Sequence, residues 1–331
     1  MKKKYDTDLL VTVSRMYYLD GLKQDEIAKR VNVSRSLISL ILTEAKELGI
    51  VDIKINDPRS NEDELAREFL NRFDIEQCIV VPTSVKEPDF RLDLAVQRGI
   101  EVFNKVVSRG DTIGIAWGKT CYQFMTDYTN EAIIDDLKIV PLVGSSNRSL
   151  RRYQMNEVVR EFAEKVHGTA RFIHAPTFPV SRNDYHLYMK SSTVQTISSF
   201  WAEIDIAIIS IGASPRLYSD IVAESIEQGG ENTSLIAEKA VGDICARFFD
   251  ESGHFIEEEI AQITIAIPVE NLRKAKICIC IVSGDNKIAS IIAGLKTGLV
   301  DILITDETTA RRVVDRIERE ESGSASVSSK A

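Results

Sequence analysis

Six short runs rich in Ile and Val recur along the chain with helical stretches between them: Cys78 to Val81, Thr112 to Ala116, Lys138 to Leu142, Asp205 to Ile211, Lys276 to Val282 and Asp301 to Thr305. Strands with one wet face alternate apolar and polar residues; these alternate little, so both of their faces must be covered. The intervening segments supply the cover, one with an apolar stripe of Leu92, Ala95, Ile100, Phe103 and Val107, another with Val158, Phe162, Ala163 and Val166. The pattern restricts residues 58–319 to an α/β domain with a doubly wound parallel sheet. Open sheets of this kind bind ligands outside the carboxyl ends of their strands, so the turns after each run are the places to search.

Residues 1–57 read differently. Leu9, Leu10, Val13, Met16 and Tyr17 give a first helix from Thr7 to Tyr18, ended by Asp20-Gly21; a second spans about Lys23 to Val31; a third is capped by Ser34 and runs to Leu48 before Gly49. Ile27, Val31, Val33 and Ile38 form a small core, with Ala28 where two helices approach. Ser34, Arg35, Ser36 and Ser39 then face outward at the start of the third helix, where a helix-turn-helix reads double-stranded operator DNA: Arg contacts guanine or phosphate, and Ser contacts base or backbone. Ile50 to Ile55 reads as a short strand, either a wing bringing Lys54 to the phosphates or a strand closing the small core. A three-helix protein-interaction module is the bland alternative for the whole unit.

Charge neither requires nor forbids this reading. The chain of 331 residues carries a net charge of -9, but residues 1–57 hold 10 basic against 9 acidic side chains. The acidity belongs to the larger domain. No run approaches the roughly 18 apolar residues of a membrane span, and the start Met1-Lys2-Lys3-Lys4 lacks a signal-peptide core, so a cytoplasmic protein is expected. Five cysteines without a C-x-x-C pair point to reduced, buried thiols rather than to disulfides or zinc. Neither a cofactor nor a metal motif is found. Residues 320–331, rich in Ser with few apolar groups, read as a disordered tail.

In the larger domain, Gly114-Ile115-Ala116-Trp117-Gly118-Lys119-Thr120 leads from a strand into a helix. Glycines admit an anion close to the backbone, and helix N-terminal amides favour it. The spacing excludes a nucleotide P-loop, because Gly114 and Gly118 enclose three residues where that motif needs four. Gly212 lies in a second strand-end turn and Lys287 just after a third, in Ser283-Gly284-Asp285-Asn286-Lys287. Asp243, after Val241-Gly242, either accepts hydrogen bonds from sugar hydroxyls or caps a helix.

The helix-turn-helix, the Gly114 to Thr120 turn, the Ala240 to Asp250 stretch and Gly298 to Glu307, in this order, resemble the SorC-type sugar-binding transcriptional regulators over nearly the whole chain. The resemblance implies a sensing domain similar to glucosamine-phosphate and ribose-phosphate isomerases that has become a sensor of phosphorylated sugars or polyols. It implies a homodimer or homotetramer controlling a carbohydrate-catabolism operon. Lys287 matches the family's phosphate-contacting lysine, and the loop Val140 to Ser146, with Gly144 and Ser145, lines the family's pocket. Two positions depart from it: Leu40 stands where relatives often have Arg, and Val143 where some place Lys or Arg. The rival class is a sugar-phosphate isomerase, but His167, His174, His186 and His254 are scattered and form no metal or catalytic spacing.

Overall fold

The computed structural model describes residues 5–51, 62–83, 85–129, 134–145, 154–215, 238–257 and 263–328. The chain divides into two compact units, residues 1–59 and 60–331.

The first unit contains helices α1 (Thr7–Tyr18), α2 (Gln24–Arg30) and α3 (Arg35–Glu47). Leu10, Val13, Ile27, Ala28, Ile38, Ile41, Leu42 and Ala45 close its core, while Val31 and Val33 are partly buried around it. Asn32 turns the chain between α2 and α3 with φ +55°, a left-handed conformation that Asn tolerates better than most residues. The Ser34 hydroxyl accepts from the Leu37 amide at 3.2 Å, so the expected N-cap is formed. Of the expected strand Ile50 to Ile55, residues 52–55, Lys54 among them, lie outside the described residues.

The second unit begins with α4 (Glu62–Arg72) and is built on a seven-stranded parallel sheet. In chain order its strands are β1 (Gln77–Val81), β2 (Thr112–Ile115), β3 (Lys138–Pro141), β4 (Thr169–Ala170), β5 (Ile206–Ile209), β8 (Ile277–Ile281) and β9 (Ile302–Asp306). Across the sheet the order is β1-β9-β8-β5-β2-β3-β4. A separate antiparallel hairpin joins β6 (Gly242–Ile244) to β7 (Arg247–Phe249). The central strands are buried along their length, β5 as Ile-Ala-Ile-Ile and β2 as Thr-Ile-Gly-Ile, as expected of a sheet covered on both faces. The edge strand β4 and the hairpin were not foreseen: β4 spans two residues, and the hairpin turn Cys245-Ala246 carries no Gly or Asn.

Eight helices of this unit follow α4: α5 (Pro88–Val106), α6 (Lys119–Asp127), α7 (Met155–Lys165), α8 (Arg182–Lys190), α9 (Ser192–Trp201), α10 (Val269–Leu272), α11 (Ile288–Lys296) and α12 (Glu307–Ser328), counted among the described residues. On one side of the sheet Phe103, Phe124, Tyr128 and Phe162 of α5 to α7 meet edge-on or tilted, with centroids 5.2–6.4 Å apart. Helix α12 runs to Ser328, beyond residues 319–320 where the sequence pattern was expected to give way to a disordered tail. A helix already nucleated extends at little cost. Here Arg316 reaches Glu320 at 2.8 Å, Ser322 bonds the Glu318 carbonyl at 2.7 Å, and Glu321 pairs with Arg72 of α4 at 2.8 Å. No helix among the described residues is long and apolar enough to cross a membrane, and the five cysteines are free and buried.

Candidate functional site

From β2 the chain winds outward through β3 and β4, then returns to place β5 on the other side of β2 and continues to β8 and β9. The connections after β2 and β5 therefore diverge, and a crevice opens at this switch point. A cavity of about 380 Å³ occupies it. Its walls are Ala116 to Thr120 after β2, Ser210 to Gly212 after β5, Ser283, Gly284, Asn286 and Lys287 after β8, Pro88, Asp89 and Leu92 from the start of α5, and Asp243 and Cys245 from the hairpin.

The β2–α6 turn has the expected form. Gly118 caps α6 with φ +102°, where a side chain would be strained although nothing obstructs it. Thr120 is buried in the first turn of α6. Lys119 is not a free cation, since its ammonium pairs with Asp89. Trp117 is half-buried, lies 6.0 Å from the Phe178 ring and donates its indole N–H to Asp243.

Asp243 sits on a hairpin strand, not at a helix start, which sets aside its helix-capping alternative. The two-residue turn holds Cys245 at φ +52° and Ala246 at φ +60°, the left-handed pair that a type I′ turn requires and that non-glycine residues adopt at a cost of order 1–2 kcal/mol each. The Asp243 carboxylate accepts from the Ala246 amide at 3.1 Å, and its carbonyl accepts from Gly212 N at 2.9 Å, joining the hairpin to the turn after β5. Burial pushes the Asp243 carboxyl up to about 6, against the opposing pull of the Ala246 amide, Lys287 and Trp117. Lys287 is half-buried at the end of the 3-10 turn Asp285–Lys287. Desolvation lowers its pKa, with Cys280, Asp243 and Cys121 pulling it back up and Lys119 adding to the fall. The cavity thus presents one poorly hydrated ammonium, Lys287, and one poorly hydrated carboxyl, Asp243, beside the exposed Lys119–Asp89 pair and the helix N-terminus of α6.

The Lys287 turn is held from behind by a buried clamp that sequence reasoning missed. Arg91 of α5, 1% exposed, donates to Asp306 at 3.2 Å and to Asp285 at 3.0 Å. Asp306 ends β9 and accepts from Ser283 Oγ at 2.7 Å and from the Thr309 amide at 3.0 Å. The Gly284 amide donates to Thr309 Oγ1 at 3.1 Å, and Arg312 of α12 takes the second oxygen of Asp285 at 2.7 Å. Ser210 was also missed: the residue lines the cavity, and its Oγ is buried and without a hydrogen-bond partner. An unused buried hydroxyl is costly unless a ligand or water satisfies it.

Three sequence-predicted residues do other work. Gly114 lies inside the sheet, where a Cβ would come within 2.5 Å of Leu142 Cδ2; it is small for packing and does not reach the cavity. Gly144 lets β3's exit pass the segment at Pro176 and Thr177, whose amide a Cβ would approach to 2.5 Å. Ser145 bridges to Pro176 in parallel fashion. Neither lines the cavity, and Val143 is fully buried against Ala266. Ser146 lies outside the described residues. The residues the cavity does bring together are Trp117, Gly118, Lys119, Thr120, Gly212, Asp243 and Lys287. All four histidines are exposed and outside the cavity wall. Among the described residues no cluster of His, Cys, Asp and Glu could hold a metal ion.

In the first unit, Ser34, Arg35, Ser36 and Ser39 are all exposed at the N-terminal end of α3, while Ile38, Ile41, Leu42 and Ala45 are buried in the core. Arg35 rests 3.6 Å from Asp25, an exposed pair that a stronger anion can displace.

A family model for a sugar-binding domain matches residues 57–315. The chain is 26% identical over 314 residues to the sorbitol operon regulator of Klebsiella pneumoniae, covering 94% of this chain and 98% of that one. It is 28% identical over 312 residues to the deoxyribonucleoside regulator of Bacillus subtilis (strain 168), covering 93% and 97%. The crystal structure of the full-length sorbitol operon regulator SorC from Klebsiella pneumoniae superposes with a TM-score of 0.76 at 25% identity, covering 93% of this chain and 99% of that one. These relatives are regulators and not isomerases. An N-terminal helix-turn-helix, a doubly wound sheet with a cavity at its switch point and these matches lead to one conclusion: the chain belongs to the SorC-type family of sugar-binding transcriptional regulators.

Proposed function

We propose that the cavity at the ends of β2, β5 and β8 binds a phosphorylated sugar or polyol, and that its occupancy alters the affinity of α3 for operator DNA in a carbohydrate-catabolism operon of the cytoplasm. One observation carries the reading: the glycine-capped N-terminus of α6 and the Lys287 ammonium, 168 residues apart in sequence, line one cavity. Both favour an anion. Asp243 and the unpartnered Ser210 hydroxyl supply an acceptor and a donor suited to sugar hydroxyls. Two of the relatives are named for a polyol and for a sugar-bearing nucleoside, which supports a sugar or polyol effector. Ser34, Arg35, Ser36 and Ser39 form the DNA-reading end of α3, with Lys54 as a phosphate contact. One unit reads one half-site, so two copies of the chain, or four, serve one operator.

The experiment titrates the full chain and Lys287→Ala with phosphorylated and free forms of the same pentoses, hexoses and polyols, following the fluorescence change of Trp117 over the background of Trp201, with subunit number read by light scattering. Lys287→Ala is expected to weaken the phosphorylated form by about 1.5–3 kcal/mol, the worth of a charged hydrogen bond, and to spare the free form. Linkage requires the effective sugar phosphate to bind with altered affinity when operator DNA is present. Equal binding of an active sugar phosphate by parent and variant overturns the phosphate site.

A further inference from the structure

Among the described side chains of α3, those exposed are Arg35, Ser36, Ser39, Leu40, Thr43 and Lys46. Five of the six are cations or hydroxyls, the groups that meet phosphates and base edges. Leu40 is the exception. It lies one helical turn beyond Ser36 and beside Ser39, with 52% of its surface in water. An exposed leucine is unremarkable in itself, and Val11 and Leu19 of α1 and its end are exposed as well. Its position is what matters, because a helix that enters the major groove with Ser36 and Ser39 toward the bases brings Leu40 against a base edge too.

A leucine can neither donate nor accept a hydrogen bond. Pressed on guanine, adenine or cytosine, it would strip water from donors and acceptors and return nothing. Thymine alone offers an apolar group in the major groove, its 5-methyl. We infer that Leu40 is a specificity-determining residue, which reads a thymine methyl in each operator half-site. The assignment rests on the DNA reading of α3 proposed above and goes beyond it in naming the base and the atom.

The full chain is used to select duplexes from a random-sequence pool, and each thymine of the selected site is then replaced by uracil, which removes the methyl and leaves the hydrogen-bonding pattern intact. Removing one buried methyl is expected to weaken the parent about fourfold at one position per half-site. In Leu40→Ala, with the fold checked by circular dichroism, the same uracil is expected to change nothing, while 5-methylcytosine elsewhere leaves both proteins alike. If uracil weakens Leu40→Ala as much as the parent at every position, the inference is overturned. It is also overturned if Leu40→Ala changes subunit assembly in light scattering and leaves DNA affinity untouched, since Leu40 then faces protein. Failure of the parent to select any sequence would overturn the DNA reading itself and this inference with it.

Discussion

Between α3 and α2, Arg35 and Asp25 keep 68% and 64% of their side-chain surface in water and stand 3.6 Å apart. In the clamp behind the cavity, Arg91 and Asp306 keep 1% and 0% and stand 3.2 Å apart. Both are arginine–aspartate pairs, yet they belong to different regimes. The exposed pair is screened, loosely held and free to be exchanged for phosphate or guanine. The buried pair has lost its water, so each partner depends on the other and on Ser283, Thr309 and Asp285 around it. A surface that must accept DNA keeps its groups uncommitted. The turn that carries Lys287 in the cavity wall is instead held in a fixed geometry by buried bonds.

The largest expected effect comes from breaking the buried pair. Arg91→Ala leaves Asp306 charged and dry, and is expected to cost about 3–5 kcal/mol of stability in urea unfolding. A loss below about 1 kcal/mol would place the clamp in the same regime as the surface pair.

A middle effect comes from Asp243. Its carboxyl titrates at about 6 when folded and near 3.8 when solvated, so the folded state holds the proton more tightly. This contribution is fully present below pH 3.8 and is lost as pH rises through 6. Between pH 5 and pH 7 the parent is therefore expected to lose about 1 kcal/mol relative to Asp243→Asn, which cannot ionise. Urea unfolding of both proteins at the two pH values measures the difference, and a gap that does not change with pH would remove Asp243 from the buried class.

The smallest effect is expected at the exposed pair between α2 and α3. Asp25→Ala should shift folding stability by no more than about 0–1 kcal/mol, and still less in high salt. A loss above 2 kcal/mol in thermal or urea melts would show that Arg35 is held in place in the free protein and is not available for exchange.

Much of this was legible in the sequence. Continuous Ile and Val runs predicted the parallel sheet because burial on both faces leaves no room for alternation, and Ser34 predicted its own cap because the capping bond is local. The cavity pieces at Trp117 to Thr120, Gly212 and Lys287 were found because each follows a strand, and the fold rule says where strand ends meet. Glycine was the weak letter. Gly114 and Gly144 serve close packing, Gly118 serves a left-handed turn, and the sequence writes all three alike. The clamp was invisible because Arg91 and Asp306 are 215 residues apart, and nothing local marks a charge that will be buried. Ser210 was missed for a related reason: an unsatisfied hydroxyl exists only once its surroundings do.

The order of strands also governs how the protein is made. Strand β1 pairs with β9, Gln77 opposite Ile302 through Val81 opposite Asp306, so the first strand of the sheet has no partner strand until the last one leaves the ribosome. At 5–20 residues per second that delay is about 11–45 s. The three-helix unit, whose core and the side chains packed on it lie within residues 5–51, has its full sequence long before then, whereas Cys78 and Val80 wait with an uncovered edge. A nascent chain of this regulator therefore carries a DNA-reading unit ready to fold while its sensor is still open, and only the release of the final strand brings the two into the same finished molecule.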